Sequence, residues 1–164
     1  MRVLTIILMG FILASCSGEQ ETKSTDEMVV SHRSQNVTIY RDEWGVPHIH
    51  GKTDGDAAFG MGYAQAEDNF DGLELGFITG IGRLSEIHGE ESLISDWVVH
   101  SFENNELSKR DYENASPAIK SLLDGYADGI NYYIETHPDL KTRLLDHIEP
   151  WYSLALIRRW YHIG

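Results

Sequence analysis

Hydrophobic and polar positions alternate along residues 37–40, and the same two-residue period returns over residues 48–50. Alternation of this kind is typical of a strand with one buried face. Gly45-Val46-Pro47 lies between the two stretches and supplies turn residues. The pattern therefore predicts a strand pair, or a single kinked strand, that ends at Gly51.

A helical pattern follows the strands. Thr53, with Asp56 three residues later, resembles a capping box with Asp in place of Glu, so a helix is predicted to begin near Asp54. Gly60 and Gly62 fall inside it, and each costs about 1 kcal/mol relative to alanine. Two such costs indicate close backbone approach by a neighbouring element. The predicted apolar face of the helix includes Ala57, Ala58, Met61, Ala64 and Phe70.

Glycine spacing and helical periodicity divide the remainder of the chain. A run of glycines predicts a break around residues 79–82, and residues 93–98 suggest a short helix. Ser116-Pro117 is an N-cap followed by proline at the first helical position, and His137-Pro138 stops the helix that follows. The apolar positions of that helix are Ile119, Leu122, Leu123, Tyr126, Ile130, Tyr133 and Ile134.

Two further helices are predicted near the end of the sequence. Apolar residues over 140–148 suggest a short one, and residues 151–163 suggest another after Glu149-Pro150. No internal repeat or low-complexity tract interrupts the pattern. The expected architecture is one α-rich α/β unit in which a short strand pair precedes several helices.

Residues 1–15 have the features of a signal peptide. Arg2 provides a basic start, residues 3–13 form an apolar core, and small residues precede the sole cysteine, Cys16. The apolar run is too short to cross a bilayer comfortably, which takes about 20 residues. Leu13-Ala14-Ser15-Cys16 resembles a bacterial lipobox, so we expect Cys16 to be lipidated and residues 16–35 to form a polar tether. An ordinary secretory signal with an incidental cysteine is the alternative.

Composition narrows the class of protein. The chain has 164 residues, enough for one domain with a real core, and its 41% hydrophobic and 24% charged residues match soluble globular averages. The formal net charge of −13 argues against a nucleic-acid partner, because such partners are held by Lys and Arg. The acidic residues are dispersed, as on a solvated surface, although calcium or a cationic substrate is an alternative reason for them.

Candidate chemistry in the residues themselves is sparse. His48 and His50 could present two imidazoles on one strand face, but no further ligand pair supports zinc, and half-buried strand histidines are the preferred interpretation. No G-x-G-x-x-G loop is complete, and no G-x-S-x-G elbow occurs. Arg41 and Asp42 are either a surface ion pair or, if buried, a device that orients the turn. The residues alone identify no catalytic group.

Four ordered blocks resemble the penicillin acylase family. The first carries the family's Arg-Asp-x-x-Gly-Val-Pro-His-Ile turn and its Gly-x-Gly-Tyr-x-x-Ala-x-Asp helix, and three shorter blocks follow in the family's order. The blocks are TIYRDEWGVPHIHGKTDGDAAFGMGYAQAEDNFDGLEL, GRLSEIHGEE, SPAIKSLLDGYADGINYYIE and IEPWYSLALI. On this resemblance residues 36–164 are expected to be part of an acylase α-chain, and the glycines are expected to let it wrap against a catalytic β-chain.

The resemblance implies an N-terminal nucleophile hydrolase of the αββα fold, of which this chain would supply the α-rich amino-terminal portion. Family members are precursors that cut themselves into an α-chain and a β-chain, and a serine at the head of the β-chain is the nucleophile, with its own α-amine as base. They hydrolyse linear amides, and the substrate would be a small acylated amine such as a β-lactam or a homoserine lactone.

The resemblance stops short of the nucleophile. The family's processing site is a Gly-Ser junction, and the sequence contains no Gly-Ser dipeptide. We therefore expect an amino-terminal piece of an exported, membrane-anchored acylase that faces the periplasm or the cell exterior and is inactive without its β-chain. A non-catalytic binding lipoprotein derived from an α-chain is the alternative.

One site residue follows from the resemblance. Calcium-binding members donate a glutamate from a Glu-Pro-aromatic motif to a site otherwise built by the β-chain, and Glu149-Pro150-Trp151 matches that motif. Glu149 is thus the predicted metal ligand and calcium the predicted cofactor. The alternative is a helix-start glutamate beside a packed Trp151. Residues lining the acyl pocket are expected between Ile134 and Leu145, without individual assignment.

Overall fold

The structure is a computed structural model that describes residues 32–163. The predicted signal peptide and Cys16 lie outside these residues. The described part contains a β-hairpin followed by helices: β1 (Val37–Arg41), β2 (Pro47–Gly51), α1 (Asp54–Gly80), α2 (Ser85–His88), a 3₁₀ turn (Gly89–Ser92), α3 (Leu93–Ser101), α4 (Asn104–Asn114), α5 (Pro117–Thr136) and α6 (Tyr152–Ile163). No helix among the described residues combines the length and apolar character needed to cross a bilayer.

The hairpin confirms the predicted strand pair. Its strands are antiparallel, with Ile39 opposite Ile49, and their inward side chains pack against α1. Gly60 makes this packing possible, because a Cβ there would crowd the side chains of Val37 and Ile49. The two predicted strand histidines are on the outward face and are exposed rather than half-buried.

Helix α1 begins as predicted, with the Thr53 side chain accepting a hydrogen bond from the Asp56 N–H at 3.1 Å. It ends at Gly80, inside the predicted break. Asn69 interrupts it, with φ −161° and ψ 73°, and its Oδ1 accepts from the Gly72 N–H at 3.0 Å. The helix is thus two segments joined at a kink, and Asn69 caps the second one.

Helices α1 and α5 are in backbone contact. A Cβ at Gly62 would overlap the Tyr126 carbonyl, and one at Gly129 would overlap the Phe59 carbonyl. The predicted close approach is therefore confirmed, but its partner is a helix of the same chain, whereas the resemblance suggested a separate β-chain. Ser116 begins α5 as predicted, since its Oγ accepts from the Ile119 N–H.

The core lies between these two helices, the segment that follows α5, and α6. Its buried members are Ala66, Phe70, Phe77, Ile78, Ile81, Ala127, Ile130, Leu145, Ile148 and Ala155. Met61, predicted to be on the apolar face of α1, is 49% exposed instead. The hairpin and α5 cover α1 from other directions, so the buried surface is not the single stripe that the periodicity suggested.

Two helix predictions need correction. Residues 140–148 form turns and irregular backbone, although a helix was expected there. Helix α4 was not predicted, because its sequence is largely polar and lacks an apolar stripe. It is held by side-chain hydrogen bonds instead: Asn104, 2% exposed, donates to the carbonyls of Gly80 and Ala155.

Candidate functional site

The segment between α5 and α6, residues 137–151, carries the predicted metal ligand and is here called the connecting segment. It contains no helix or strand. Its Leu145 and Ile148 are buried in the core, which anchors the segment to α1 and α5. Packing alone leaves the buried N–H and C=O groups of an irregular segment without partners, so they require other acceptors and donors.

Glu74 of α1 supplies one set of partners. The residue is fully buried, and its carboxylate accepts hydrogen bonds from the N–H groups of Arg143, Leu144 and Leu145 at 2.8 to 3.0 Å. An ionised carboxylate has only acceptor sites, which suits three converging donors. Glu74 therefore holds the middle of the connecting segment against α1.

Asn131 of α5 supplies the second set. Its Oδ1 accepts from the Ile148 N–H at 2.7 Å, and its Nδ2 donates to the Ile148 carbonyl at 2.9 Å. The side chain thus pairs with both the N–H and the C=O of Ile148, as a backbone partner in a β-sheet would. Sequence reasoning missed Glu74 and Asn131 because their partners are 69 to 71 and 17 residues away.

Glu149 follows Ile148 directly and is exposed. Among the described residues, its carboxylate is without a hydrogen bond or ion pair, while its carbonyl accepts from the Tyr152 N–H at 3.0 Å at the start of α6. Trp151 beside it packs against the core and carries the Lys109 ammonium 4.7 Å from its ring centre. A free carboxylate on a fixed backbone fits one position of a calcium shell.

The surroundings of Glu149 are negative and aromatic. Burial raises the pKa of Tyr152, and the charges of Glu149 and Asp146 raise it further. The pKa of Tyr112 is raised to about 12, chiefly by its 2.6 Å hydrogen bond to Asp124. No group of three or more His, Cys, Asp or Glu within residues 32–163 could hold a metal ion. The described residues thus offer a single ligand rather than a complete site.

Side-chain hydrogen bonds hold the hairpin loop, residues 42–46, in place. Arg41 does not pair with Asp42; its guanidinium donates to the Gly45 carbonyl at 2.8 Å and pairs with Glu67 and Asp68 of α1 at 2.6 and 2.8 Å. Three side chains and one carbonyl thus fix the base of the loop to α1.

Asp42 fixes the loop from inside. Its Oδ1 accepts from the N–H groups of Trp44 and Val46, each at 2.9 Å, and its Oδ2 lies 3.2 Å from the His48 ring. These hydrogen bonds lower the pKa of Asp42, the one to His48 most. His48 therefore serves the loop, and the zinc alternative gains no further ligand among the described residues.

A cavity of about 420 Å³ opens beside the kink in α1. Asn69 and Phe70 line it from α1, and Tyr133 lines it from α5. Asp139, Leu140 and Lys141, which lie inside the stretch predicted to line the acyl pocket, close one side. Glu67 and Asp68 also line the cavity, and both of these carboxylates form ion pairs with Arg41.

Comparison with known proteins shows which family of proteins this chain resembles in sequence. The penicillin amidase family model matches residues 36–162. Penicillin acylase 2 proenzyme of Pseudomonas sp. (strain SE83) is 31% identical over 132 residues, which cover 77% of this chain and 17% of that protein. Acyl-homoserine lactone acylase QuiP of Pseudomonas syringae pv. tomato (strain ATCC BAA-871 / DC3000) is 34% identical over 133 residues, which cover 77% of this chain and 16% of that protein.

The fold agrees with a solved structure. A thermostable penicillin G acylase from Alcaligenes faecalis superposes with a TM-score of 0.62 at 24% sequence identity, over 76% of this chain and 70% of that one. The predicted fold class, the helix-rich part of an N-terminal nucleophile hydrolase with a short strand pair, is confirmed. The chain spans about a sixth of the length of the curated relatives named here. From the match over residues 36–162 it follows that the chain belongs to the penicillin amidase family.

Proposed function

We propose that this chain is the amino-terminal, α-chain part of an amidohydrolase that releases an acyl group from a small acylated amine. The observation that carries the proposal is the family match, which begins just before the hairpin and extends to the last described turn of α6. Relatives are named as acylases of penicillin and of acyl-homoserine lactones, which suggests a β-lactam or a homoserine lactone as the amine-bearing portion.

In the proposed reaction the chain contributes structure rather than the nucleophile. A serine from the remaining polypeptide would attack the amide carbonyl, its own α-amine would accept the hydroxyl proton, and the amine would leave with a proton. Water would then hydrolyse the acyl-serine ester and release the acid. The sequence has no Gly-Ser junction at which such a serine could be exposed, so the 164 residues alone should not turn over substrate.

Exposed apolar side chains support a large partner surface. Ile94 and Trp97 of α3 are 76% and 69% exposed, and Trp160 and Tyr161 of α6 are 68% and 85% exposed. Clusters of this kind usually mark an interface. We assign them to contact with the remaining polypeptide, the β-chain of a processed acylase.

Glu149 is proposed to give one oxygen ligand to calcium, with the other ligands supplied by the β-chain. A hard divalent cation takes six to eight oxygens, so binding by this chain alone would be weak. Calcium titration of the full-length protein and of Glu149→Ala tests the assignment, and equal affinities would reject it.

Export and membrane attachment through lipidated Cys16 are also proposed, on the signal-like residues before it. An apolar run followed by Leu13-Ala14-Ser15-Cys16 supports them. Mass spectrometry of the mature amino terminus should find a diacylglyceryl cysteine. An unmodified thiol, or a terminus elsewhere, would remove the anchor.

The deciding experiment is amide hydrolysis by the full-length protein. It should release phenylacetate from penicillin G, or a fatty acid from an acyl-homoserine lactone, while the purified 164-residue chain should show no turnover. The same preparation, denatured, is the control for contaminating activity. A full-length protein that hydrolyses neither class, nor a chromogenic phenylacetyl amide, would overturn the proposed function.

A further inference from the structure

The connecting segment is irregular, yet its end must be placed accurately for any ligand role of Glu149. It runs from the last residue of α5 to the first of α6 without helix or strand. A segment without a hydrogen-bond ladder is ordinarily mobile. Its geometry therefore depends on side chains that reach it from neighbouring elements.

Two buried side chains reach it, one from each central helix. The Glu74 carboxylate from α1 is 0% exposed and collects the three successive N–H groups of residues 143–145. Asn131 from α5 is 6% exposed and holds both backbone groups of Ile148, the residue before Glu149. Among the described residues, neither side chain makes another hydrogen bond, so both serve only this segment.

The frame behind the two side chains is stiff. Helices α1 and α5 touch through backbone at Gly62 and Gly129, where no side chain intervenes. Leu145 and Ile148, at the two points of attachment, are also buried in the core. Displacement of the backbone of residues 143–148 would leave buried N–H groups or the buried Glu74 carboxylate unpaired.

We infer that Glu74 and Asn131 are positioning residues for Glu149: they hold the backbone of residues 143–148, so that Glu149 meets calcium from one fixed backbone position. The inference rests on the calcium role proposed above and adds to it the residues that prepare the ligand. Groups that orient a metal ligand commonly change metal affinity by about tenfold to a hundredfold when altered.

Thermodynamic coupling between calcium binding and the order of the connecting segment distinguishes a positioning role from a merely structural one. If the segment must be held for calcium to bind, then bound calcium must in turn hold the segment. In the wild-type full-length protein, saturating calcium should slow amide hydrogen exchange of residues 143–148. This measurement needs no variant, and unchanged exchange would overturn the inference.

Two near-isosteric variants complete the test in the full-length protein. Glu74→Gln replaces an acceptor oxygen with a donor, and Asn131→Asp removes the donor to the Ile148 carbonyl. Each variant should weaken calcium binding, measured by titration calorimetry, about tenfold or more. Amide exchange of residues 143–148 should be faster in each variant than in the wild type, and saturating calcium should bring it back toward the wild-type rate. Glu135→Gln, the same change at an exposed site on α5, should bind calcium as the wild type does.

The outcomes separate the two levels of proposal. Calcium affinity within about twofold of wild type in both variants, with Glu149→Ala still impaired, would overturn the positioning role alone. Unchanged affinity in Glu149→Ala would overturn both the calcium assignment and the positioning role, while amide hydrolysis would still be judged by the activity assay.

Discussion

At the scale of single residues, side-chain hydrogen bonds to backbone groups fix both the helix starts and the connecting segment. The side chains of Thr53 and Ser116 each accept a hydrogen bond from the N–H three residues on. The Glu74 carboxylate accepts from N–H groups that lie 69 to 71 residues away along the chain. A glutamate in a helix is ordinarily an exposed residue, so only the fold reveals this one as buried and paired.

Asp42 provides a residue-scale prediction with a definite sign. Its pKa is lowered by the hydrogen bond from His48 first, and then by those from the Val46 and Trp44 N–H groups. A carboxylate whose pKa is lower in the folded protein stabilises the loop at pH values above its unfolded pKa, about 3.9. That stabilisation is lost as pH falls through the lowered value. The loop should thus stay ordered at neutral pH and loosen only in acid.

Carbon-detected NMR titration of the Asp42 carboxyl measures this directly. The wild-type pKa should fall below the ordinary value for aspartate, and His48→Ala should raise it. His50→Ala is the matched control, because His50 lies on the same outward strand face without contacting Asp42. Equal Asp42 pKa values in His48→Ala and the wild type would contradict the assigned cause.

At the scale of elements, the two glycines inside α1 correctly predicted close approach by neighbouring elements. Two costly helix glycines indicated close approach, and the structure shows α1 against the hairpin at Gly60 and against α5 at Gly62. Periodicity failed where tertiary hydrogen bonds replace an apolar stripe. Helix α4 is held by the Asn104 side chain, which donates to the carbonyls of Gly80 and Ala155, and residues 140–148 stay irregular because Glu74 and Asn131 satisfy their backbone.

Alanine is predicted to have different effects at two helix glycines, one inside the α1–α5 contact and one outside it. Gly129→Ala would place a Cβ on the Phe59 carbonyl oxygen, so separation of the helices should cost about 2 to 3 kcal/mol of unfolding free energy. Gly76→Ala is the matched control, since its Cβ would meet only Leu156 Cδ2 at 3.9 Å. That change should be neutral or stabilise by up to about 1 kcal/mol. Urea unfolding measures both, and equal midpoints would contradict the packing.

The kink in α1 predicts a smaller effect. Asn69→Ala removes the side chain that caps the second helical segment, which should cost about 1 kcal/mol. Asn69→Asp retains an acceptor at the same position and should keep most of the stability. The comparison uses the same unfolding assay, and alanine and aspartate variants of equal stability would show that the cap contributes nothing.

At the scale of the whole molecule, composition and family resemblance indicated a soluble domain with a partner, but not which surface the partner covers. Surface position depends on how the helices assemble, and sequence periodicity alone does not give that. The structure exposes Leu93, Ile94 and Trp97 together on α3, at 53%, 76% and 69%. Three large apolar side chains within five residues of a short helix are thus exposed.

If this face contacts the β-chain, a charge placed on it should weaken assembly without unfolding the α-chain. Ile94→Asp in the full-length protein should therefore lower the yield of processed, co-purifying two-chain enzyme severalfold, because an unpaired buried charge opposes the interface. Ser101→Asp is the control: it adds the same charge to an exposed position of α3 and removes no apolar surface. Gel filtration and quantification of both chains give the readout. If Ile94→Asp assembles as well as the wild type, α3 is not part of the interface. The exposed Trp160 and Tyr161 of α6 would then be the surface assigned to the partner.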